Sequence, residues 1–522
     1  MCGIVALIGP NAGMQRETAY RLAERISHRG DPPLQNETLE GDGWLLVTNR
    51  MAIRSSLVGR QPLVSQAQRC AMVYNGEVYN YAQLARDLLI SGEELAEFGD
   101  GLVVLRAVAL RGREAIGLLN GMFAAIWVNY GSGVGLAFRD RMGIKPLYYA
   151  MSSGMIYFAS EIKALAPETS VKEIFEVMPG EVVEFAWGGE EPVRVVRREL
   201  FFRLDDVEIG RHAKSVKRLR KAIEKSVAEC ADHSGPIGVY LSGGVDSGSV
   251  YALSARDRSD VIGVTVGNED SVDVVASGRL VEELGGTSVV GRLPSESELF
   301  GNVRDVIRIV ESFEPNLVRQ GSVQLSIAGL AASLGLRVIL CGEGADELFC
   351  GYPEFAFAGE EWEKTRISFL ADLRRTQLQR VDRFAMHFTT EVRVPYLANE
   401  VIQLAMEVRD IREFVAGGTK LMLREAMNGV VPEWVRLRPK VVLSEGAGLR
   451  GNNPVHGLFS SLSSQAIGDS EAKELINDFS EWNLRSKEEA FYFREFYRLG
   501  YAKASFMKER VFANTVNSER VV

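Results

Sequence analysis

The sequence has no apolar run of the roughly 20 residues that a membrane-spanning helix needs, so no such helix is expected. It has no long basic run and a net charge of −9, so neither nucleic acid nor an anionic lipid surface is an expected partner. Its five cysteines, Cys2, Cys70, Cys230, Cys341 and Cys350, are scattered, odd in number and nowhere spaced as C-x-x-C. That argues against a disulfide framework and a zinc site, and it fits a reducing, cytoplasmic compartment. Residues 1–9 are apolar but lack the basic flank and small-residue cleavage site of a signal peptide, so none is expected. What is present is ordinary for globular protein, 46% apolar and 25% charged residues. At 522 residues the chain is too long for one core, and about two to four domains are expected.

Residues 239–247 read Val-Tyr-Leu-Ser-Gly-Gly-Val-Asp-Ser. Three apolar residues end a buried strand, a glycine-rich turn follows, and helix-compatible sequence resumes at Gly248. Such a unit aims backbone N–H groups and a helix N-terminus at one point, which suits a phosphate. No lysine follows the glycines, so this is not the G-x-x-x-x-G-K-[ST] loop. The hydroxyls of Ser242 and Ser247 can donate to phosphate oxygens, and Asp246 is suited to hold Mg²⁺ facing them. An ordinary strand–turn–helix corner is the competing reading. The run Ser-Gly-Gly-x-Asp-Ser after an apolar strand resembles the pyrophosphate-binding loop of the ATP-pyrophosphatase (PP-loop) family. Its members split ATP into AMP and pyrophosphate to adenylate a carboxylate or carbonyl.

Around this loop, 212–230 has helical spacing at Val216, Leu219, Ile223 and Val227. Residues 261–267 read as a second buried strand, 274–284 as a helix ending at Gly285 and Gly286, and 336–340 as a further strand. The alternation predicts a parallel sheet with crossover helices, whose ligands sit at the carboxyl ends of the strands. At the end of the last strand, 341–352 reads Cys-Gly-Glu-Gly-Ala-Asp-Glu-Leu-Phe-Cys-Gly-Tyr. Glu343, Asp346 and Glu347 are costly there unless they meet a cation or titrate. A solvated acidic turn is the competing reading. Residues 194–206, of mixed charge with Phe201 and Phe202, read as a linker between domains.

At the N-terminus, 2–9 reads as a strand. Cysteine at position 2 permits removal of Met1, leaving a thiol and a free α-amine on one residue. That amine, with an ordinary pKa of about 7.7–8.0, suits it as general base for its own thiol. A small buried hydrophobe is the alternative. Ser27-His28-Arg29-Gly30 closes a helix-like segment, 49–53 is strand-like, and Gln61-Pro62-Leu63 lies beyond. Residues 73–80 place Asn75-Gly76 between apolar runs, which alone signals a hairpin turn. Gly99-Asp100 precedes another helix, and 138–148 and 158–165 have strand–turn–strand rhythm.

Together these motifs resemble the class II glutamine amidotransferase domain, in the form fused to asparagine synthetases, over most of residues 1–200. The 341–347 segment resembles the Ser-Gly-Glu-Gly-Ser-Asp-Glu of those synthetases. The resemblance implies two domains, 1–205 and 206–522. The first is an N-terminal nucleophile hydrolase αββα sandwich. The second is a doubly wound parallel sheet of adenine nucleotide α-hydrolase type with a helical C-terminal part. It further implies that Cys2 attacks the side-chain amide of glutamine, and that Asn75 and the N–H of Gly76 form the oxyanion hole. Arg50 would hold the α-carboxylate, Glu77 and Asp100 the ammonium, and the backbone near Ile53 would line the pocket. His28 would order its loop. In the second domain Leu241 and Val266 would contact adenosine through their backbones. Ser242, Gly243, Gly244, Asp246 and Ser247 would meet the phosphates, with Cys341 and Gly342 beside the ATP. Asp246 and Asp346 would bind Mg²⁺, and Glu343 would support the acyl-adenylate and the later ammonia step. Lys440, in Arg438-Pro-Lys440, would steady the growing charge; a snorkelling surface lysine is the alternative. Glu311-Ser-Phe-Glu-Pro with Arg319, Arg380-Val-Asp-Arg383, and the segments 391–397, 419–424 and 489–496 match further parts of the family.

The implied reaction converts aspartate, glutamine and Mg-ATP through β-aspartyl-AMP to asparagine, glutamate, AMP and pyrophosphate, with ammonia passing from one domain to the other. ATP and Mg²⁺ are the implied cofactors, and a homodimer is implied by analogy alone. The sequence departs from the family pattern at Gly101-Leu102 after Asp100, at Cys341 for serine, at Ala398 for aspartate and at 444–448. The last departure leaves open an amide ligase acting on another carboxylate, one that makes an amidated peptide, a β-lactam or a macrolactam. A non-catalytic sensor would show decay at Cys2, the phosphate loop or Glu343, and none is decayed.

Overall fold

The structure, a computed structural model, describes residues 2–53, 59–207, 216–352, 354–408, 410–415, 418–441, 443–448, 455–509 and 511. Met1, residues 212–215 of the expected helix and Val442 of the 438–448 segment lie outside them. Two compact units emerge. One comprises Met1–Arg203 with the segments Met386–Thr389 and Phe496–Lys508; the other comprises Leu204–Ala385, Thr390–Glu495 and Glu509–Val522.

The strands of the first unit are β1 (Cys2–Ile8), β2 (Glu37–Gly41), β3 (Trp44–Arg50), β4 (Leu63–Ser65), β5 (Cys70–Val78), β6 (Gly121–Asn129), β7 (Val134–Arg139), β8 (Tyr148–Ser152), β9 (Met155–Ala159), β10 (Phe175–Glu176), β11 (Glu181–Gly188) and β12 (Glu191–Leu200). They form two six-stranded antiparallel sheets, ordered β10-β8-β9-β1-β3-β2 and β12-β11-β7-β6-β5-β4. Strand periodicity explains the layers. Ile4, Ala6 and Ile8 of β1 meet Ala71 and Val73 of β5 and Ala124, Ile126 and Val128 of β6 in the core between the sheets. The alternate residues Met72, Tyr74, Phe123 and Trp127 face outward against Leu102, Val104, Leu105 and Val108 of the helix Gly92–Arg111. The helix Arg16–Glu24 covers the other sheet beside β1, whose Val5 and Leu7 are buried as well. This is an αββα sandwich, and it explains why 2–9 is apolar without alternation: β1 is buried on both faces.

The second unit holds β13 (Ile237–Tyr240), β14 (Val261–Gly267), β15 (Thr287–Arg292), β16 (Val338–Leu340) and β17 (Glu391–Arg393) in one parallel sheet, ordered β15-β14-β13-β16-β17. Crossover helices include Val245–Asp257, Val272–Leu284 and Pro315–Ser333. Gly285 ends the second of these in the left-handed conformation, at φ 66°. Strands β13 and β16 are neighbours although 97 residues separate Tyr240 from Val338, so the two signature loops emerge side by side at a topological switch point. The rest of the unit is mainly helical. Among the described residues no helix is long and apolar enough to cross a membrane.

Two expectations are corrected. Residues 194–200 are not linker: they finish β12, paired along β11, and only 201–206 leave the sheet. They carry charge because β12 is an edge strand with exposed positions. The Asn75-Gly76 pair makes no turn; it lies within β5, opposite Ala124 and Phe123. Continuous pairing with β6, from Cys70 to Val78, outweighs the local turn preference.

Candidate active site

In the first unit, register brings Cys2 and Asn75 together. Asn75 is on the same face of β5 as Ala71 and Val73, and that face looks at β1. The Oδ1 of Asn75 accepts from the N–H of Cys2 at 3.0 Å, while its Nδ2 is buried and has no hydrogen-bond partner. Gly76 follows where a Cβ would lie 2.2 Å from the carbonyl oxygen of Met122, so only glycine admits this approach of β5 and β6. A cavity of about 80 Å³ opens here, lined by Cys2, Arg50, Ile53, Gln61, Gly76, Glu77 and Asp100 among others. Burial pushes the Cys2 thiol up from its ordinary value. Every residue that the sequence reading assigned to glutamine, apart from the inward-facing Asn75 beside it, lines this cavity.

Neighbours that the sequence reading passed over hold these groups. Arg50, 3% exposed, donates from Nε to Oε2 of Glu37 at 2.8 Å. Gln61 brackets Tyr74, accepting from its N–H at 2.7 Å and donating to its carbonyl at 2.8 Å, and its Nε2 lies 3.5 Å from Sγ of Cys2. The helix Gly92–Arg111 breaks at Gly99, with φ 66° and ψ −159°. That break aims Asp100 back at the sheet, where its Oδ2 accepts from the Tyr74 hydroxyl at 2.8 Å and the Val78 N–H at 2.9 Å. His28 lies at the carboxylate of Glu161, 3.2 Å away, and Glu161 also pairs with the buried Arg29. Strand β3 stops at Arg50, so Ile53 is loop where the sequence suggested strand.

In the second unit the loop after β13 folds on itself. The hydroxyls of Ser242 and Ser247 lie 3.0 Å apart, and Ser247 accepts from the N–H of Ser242. Gly243 has φ 72°, and a Cβ there would come within 2.6 Å of the backbone of Ala276. Val245 opens the helix whose first turn carries Asp246. Leu241 is tied into the sheet: its N–H donates to Val264, and its carbonyl accepts from the Thr265 hydroxyl at 2.7 Å. Val266 is buried near the end of β14. Beside this loop, the backbone of Gly342 would put a Cβ 2.9 Å from Cβ of Asp246, so the two signature loops touch.

Where they touch, charges concentrate. The ammonium of Lys420, 2% exposed, lies 2.5 Å from Asp246 and 2.7 Å from Asp346, and Lys440 reaches Asp346 at 2.6 Å. Lys440 is therefore no idle surface lysine, although its side chain is still 31% exposed. Burial opposes the charge of Asp346, but the two lysines outweigh it and hold the carboxyl down at about 2. Burial raises Asp246, and Asp346 adds to that against the pull of Lys420. Glu347, its neighbour, is pushed up to about 8 by burial and the charge of Asp346, and accepts from the Tyr352 hydroxyl at 2.6 Å. A solvated acidic turn is thus excluded, since Asp346 and Glu347 are buried. Glu343 accepts from Arg380 at 2.6 Å. Burial drives the Cys341 thiol well above its ordinary range, which fits a neutral replacement for serine. The buried Oδ1 of Asp246 accepts no hydrogen bond, so the Asp246–Asp346 pair would suit a hard cation, which prefers carboxylate oxygens. Among the described residues no group of three or more His, Cys, Asp or Glu gathers as a metal site, here or elsewhere.

Residues 1–187 match the glutamine amidotransferase domain family, and residues 218–368 and 358–498 match asparagine synthase. The chain belongs to the asparagine synthase family. Asparagine synthetase B [glutamine-hydrolyzing] of Escherichia coli K12 is 27% identical over 95% of this chain and 91% of its own length. Asparagine synthetase [glutamine-hydrolyzing] of Asparagus officinalis is 28% identical over 86% of this chain and 78% of its own. The Lotus japonicus asparagine synthetase [glutamine-hydrolyzing] 2 is 27% identical over 95% and 85%. As a member of the asparagine synthase family the protein is a glutamine-dependent amidotransferase and ligase that uses ATP on small molecules.

Proposed function

We propose that the protein is a glutamine-hydrolysing asparagine synthetase, with residues 1–205 as the glutaminase and 206–522 as the synthetase. The observation that carries the glutaminase half is the unpartnered Nδ2 of Asn75 beside Cys2. A buried amide N–H without an acceptor costs free energy unless an oxyanion arrives to take it. In this reading the thiol of Cys2 attacks the side-chain amide of glutamine, with its own α-amine, freed by loss of Met1, as the base. The Asn75 Nδ2 and the Gly76 N–H receive the oxyanion. Ammonia departs, and water releases glutamate from the thioester. Arg50 binds the α-carboxylate, Glu77 and Asp100 bind the ammonium, and Ile53 bounds the pocket.

In the synthetase half, Ser242, Gly243, Gly244 and Ser247 take the ATP phosphates, while Leu241, Val266, Cys341 and Gly342 take the nucleoside. Asp246 and Asp346 would hold Mg²⁺, which when bound offsets phosphate charge. The acceptor carboxylate attacks the α-phosphorus and pyrophosphate leaves. Glu343, fixed by Arg380, supports the adenylate and the attack of ammonia, and Lys440 meets the charge that grows on both. Aspartate as acceptor is supported by the relatives, each of which bears the name of an asparagine synthetase. We place the reaction in the cytoplasm, where the five unbridged thiols stay reduced.

Purified protein with ATP, Mg²⁺, glutamine and aspartate should yield asparagine, AMP and pyrophosphate in equal amounts, identified by mass. Glutamate alone would mean that the acceptor is another carboxylate, which the divergent 444–448 segment would then explain.

A further inference from the structure

Lys440 rides on a segment that is riveted to a single helix. Before it, Trp434 stacks on Arg279, whose guanidinium carbon is 4.3 Å from the ring, and donates from Nε1 to Glu283 at 3.0 Å. At Arg438 the guanidinium donates to Oδ1 of Asp273 at 2.7 Å, to the carbonyl of Val272 at 3.1 Å and to the carbonyl of Ser242 at 2.6 Å. Past Lys440, Gly446 lies where a Cβ would come within 1.9 Å of Asp273 Oδ2, and the carbonyl of Ala447 accepts from the Ser271 hydroxyl at 2.8 Å. Arg279, Glu283, Val272 and Asp273 belong to the helix Val272–Leu284, with Ser271 as its N-cap.

Asp273 is at the centre of these contacts. It is 4% exposed and stands in the first turn of that helix. Arg424 braces the same segment from the other side, donating to the carbonyl of Arg438 at 3.1 Å and to that of Arg436. Between Arg438 and Lys440 stands Pro439, whose ring fixes φ and so removes one of the backbone rotations between the two side chains. A lysine side chain has many rotamers, and this one is part exposed; what restricts the origin of its reach is the clasp at Arg438.

We propose that Asp273 and Arg438 form a positioning clasp that sets where the Lys440 ammonium meets the reacting phosphate and acyl groups, and ties that placement to the phosphate loop through the Ser242 carbonyl. The proposal rests on the reading of Lys440 given above. Asp273 does not touch substrate; it acts through Arg438 and Lys440.

The test is Asp273→Asn in ammonia-dependent synthesis, followed by pyrophosphate release. Displacing a catalytic group by about 1 Å can cost about 10²-fold, so kcat should fall by about that factor while KM for ATP moves little. Glutamine hydrolysis without ATP should be unchanged. Because the clasp works through Lys440, Asp273→Asn combined with Lys440→Met should be no slower than Lys440→Met alone. A kcat equal to wild type, or losses that multiply in the double variant, would overturn the clasp. Should Asp273→Asn lower the melting temperature enough to obscure the kinetics, Arg438→Lys, which keeps the charge but cannot span Asp273 and Ser242 together, must show the same loss of kcat. If Lys440→Met itself leaves pyrophosphate release intact, it is the assignment of Lys440 that fails.

Discussion

At Asn75 one amide group is used twice. Its oxygen holds the backbone of Cys2, and in the proposed glutaminase its unpartnered nitrogen serves a charge that exists only during reaction. Asn75→Ala should therefore reduce kcat for glutamine hydrolysis by about 10²–10³. A loss confined to KM, measured by glutamate release, would mean that the amide binds substrate and not the oxyanion. Glu347 shows the reverse economy, a carboxyl that stays protonated. Held at about 8, against an ordinary value of about 4.3, it keeps its proton in the folded protein across a range where the unfolded chain has lost it. The native state then binds more protons, so Glu347 costs stability as pH rises through that window. Glu347→Gln cannot titrate, so its melting midpoint should gain on wild type between about pH 4 and pH 8. A difference that does not change with pH would show that Glu347 is ionised throughout. The sequence made Asn75 and Glu347 conspicuous by their motifs. It left Glu37 unmentioned and showed no partner for Gln61 or Lys420, although it singled out their segments, because contacts across the fold are not written in a local stretch.

Among elements, the loop after β13 shows most clearly why a motif has its residue types. Gly243 is left-handed and has the Ala276 backbone 2.6 Å from where a Cβ would stand. Gly243→Ala pays about 1–2 kcal/mol for the backbone conformation alone, and the clash with an immobile main chain adds to it. Pyrophosphate release should be abolished while glutamine hydrolysis persists; retention of pyrophosphate release would show that the loop can re-form without that turn. The parallel sheet and its crossover helices were legible because buried strands and helices alternate in the chain. The character of β5 and β12 was not. Asn-Gly favours a turn in isolation, and a charged stretch resembles a linker, but pairing along a sheet overrides both preferences once neighbours exist.

For the whole molecule, two chemistries in one chain predict separable losses. Cys2→Ala should abolish the use of glutamine and leave ammonia-dependent synthesis, both followed by amide product. Loss of both activities would break the assignment of two independent sites. The sequence by itself determined the inventory of groups: a cysteine at position 2, a serine- and glycine-rich loop and an acidic loop, each encoded within a few consecutive residues that make them recognisable. It also determined the alternation of strands and helices, since burial periodicity is written residue by residue. Only the tertiary structure decided which groups meet. Cys2 and Asn75 are 73 positions apart, and Lys420 and Asp246 are 174 apart. Register within a sandwich and strand order within a sheet set those distances, and both depend on the packing of the whole core rather than on any local stretch of the chain.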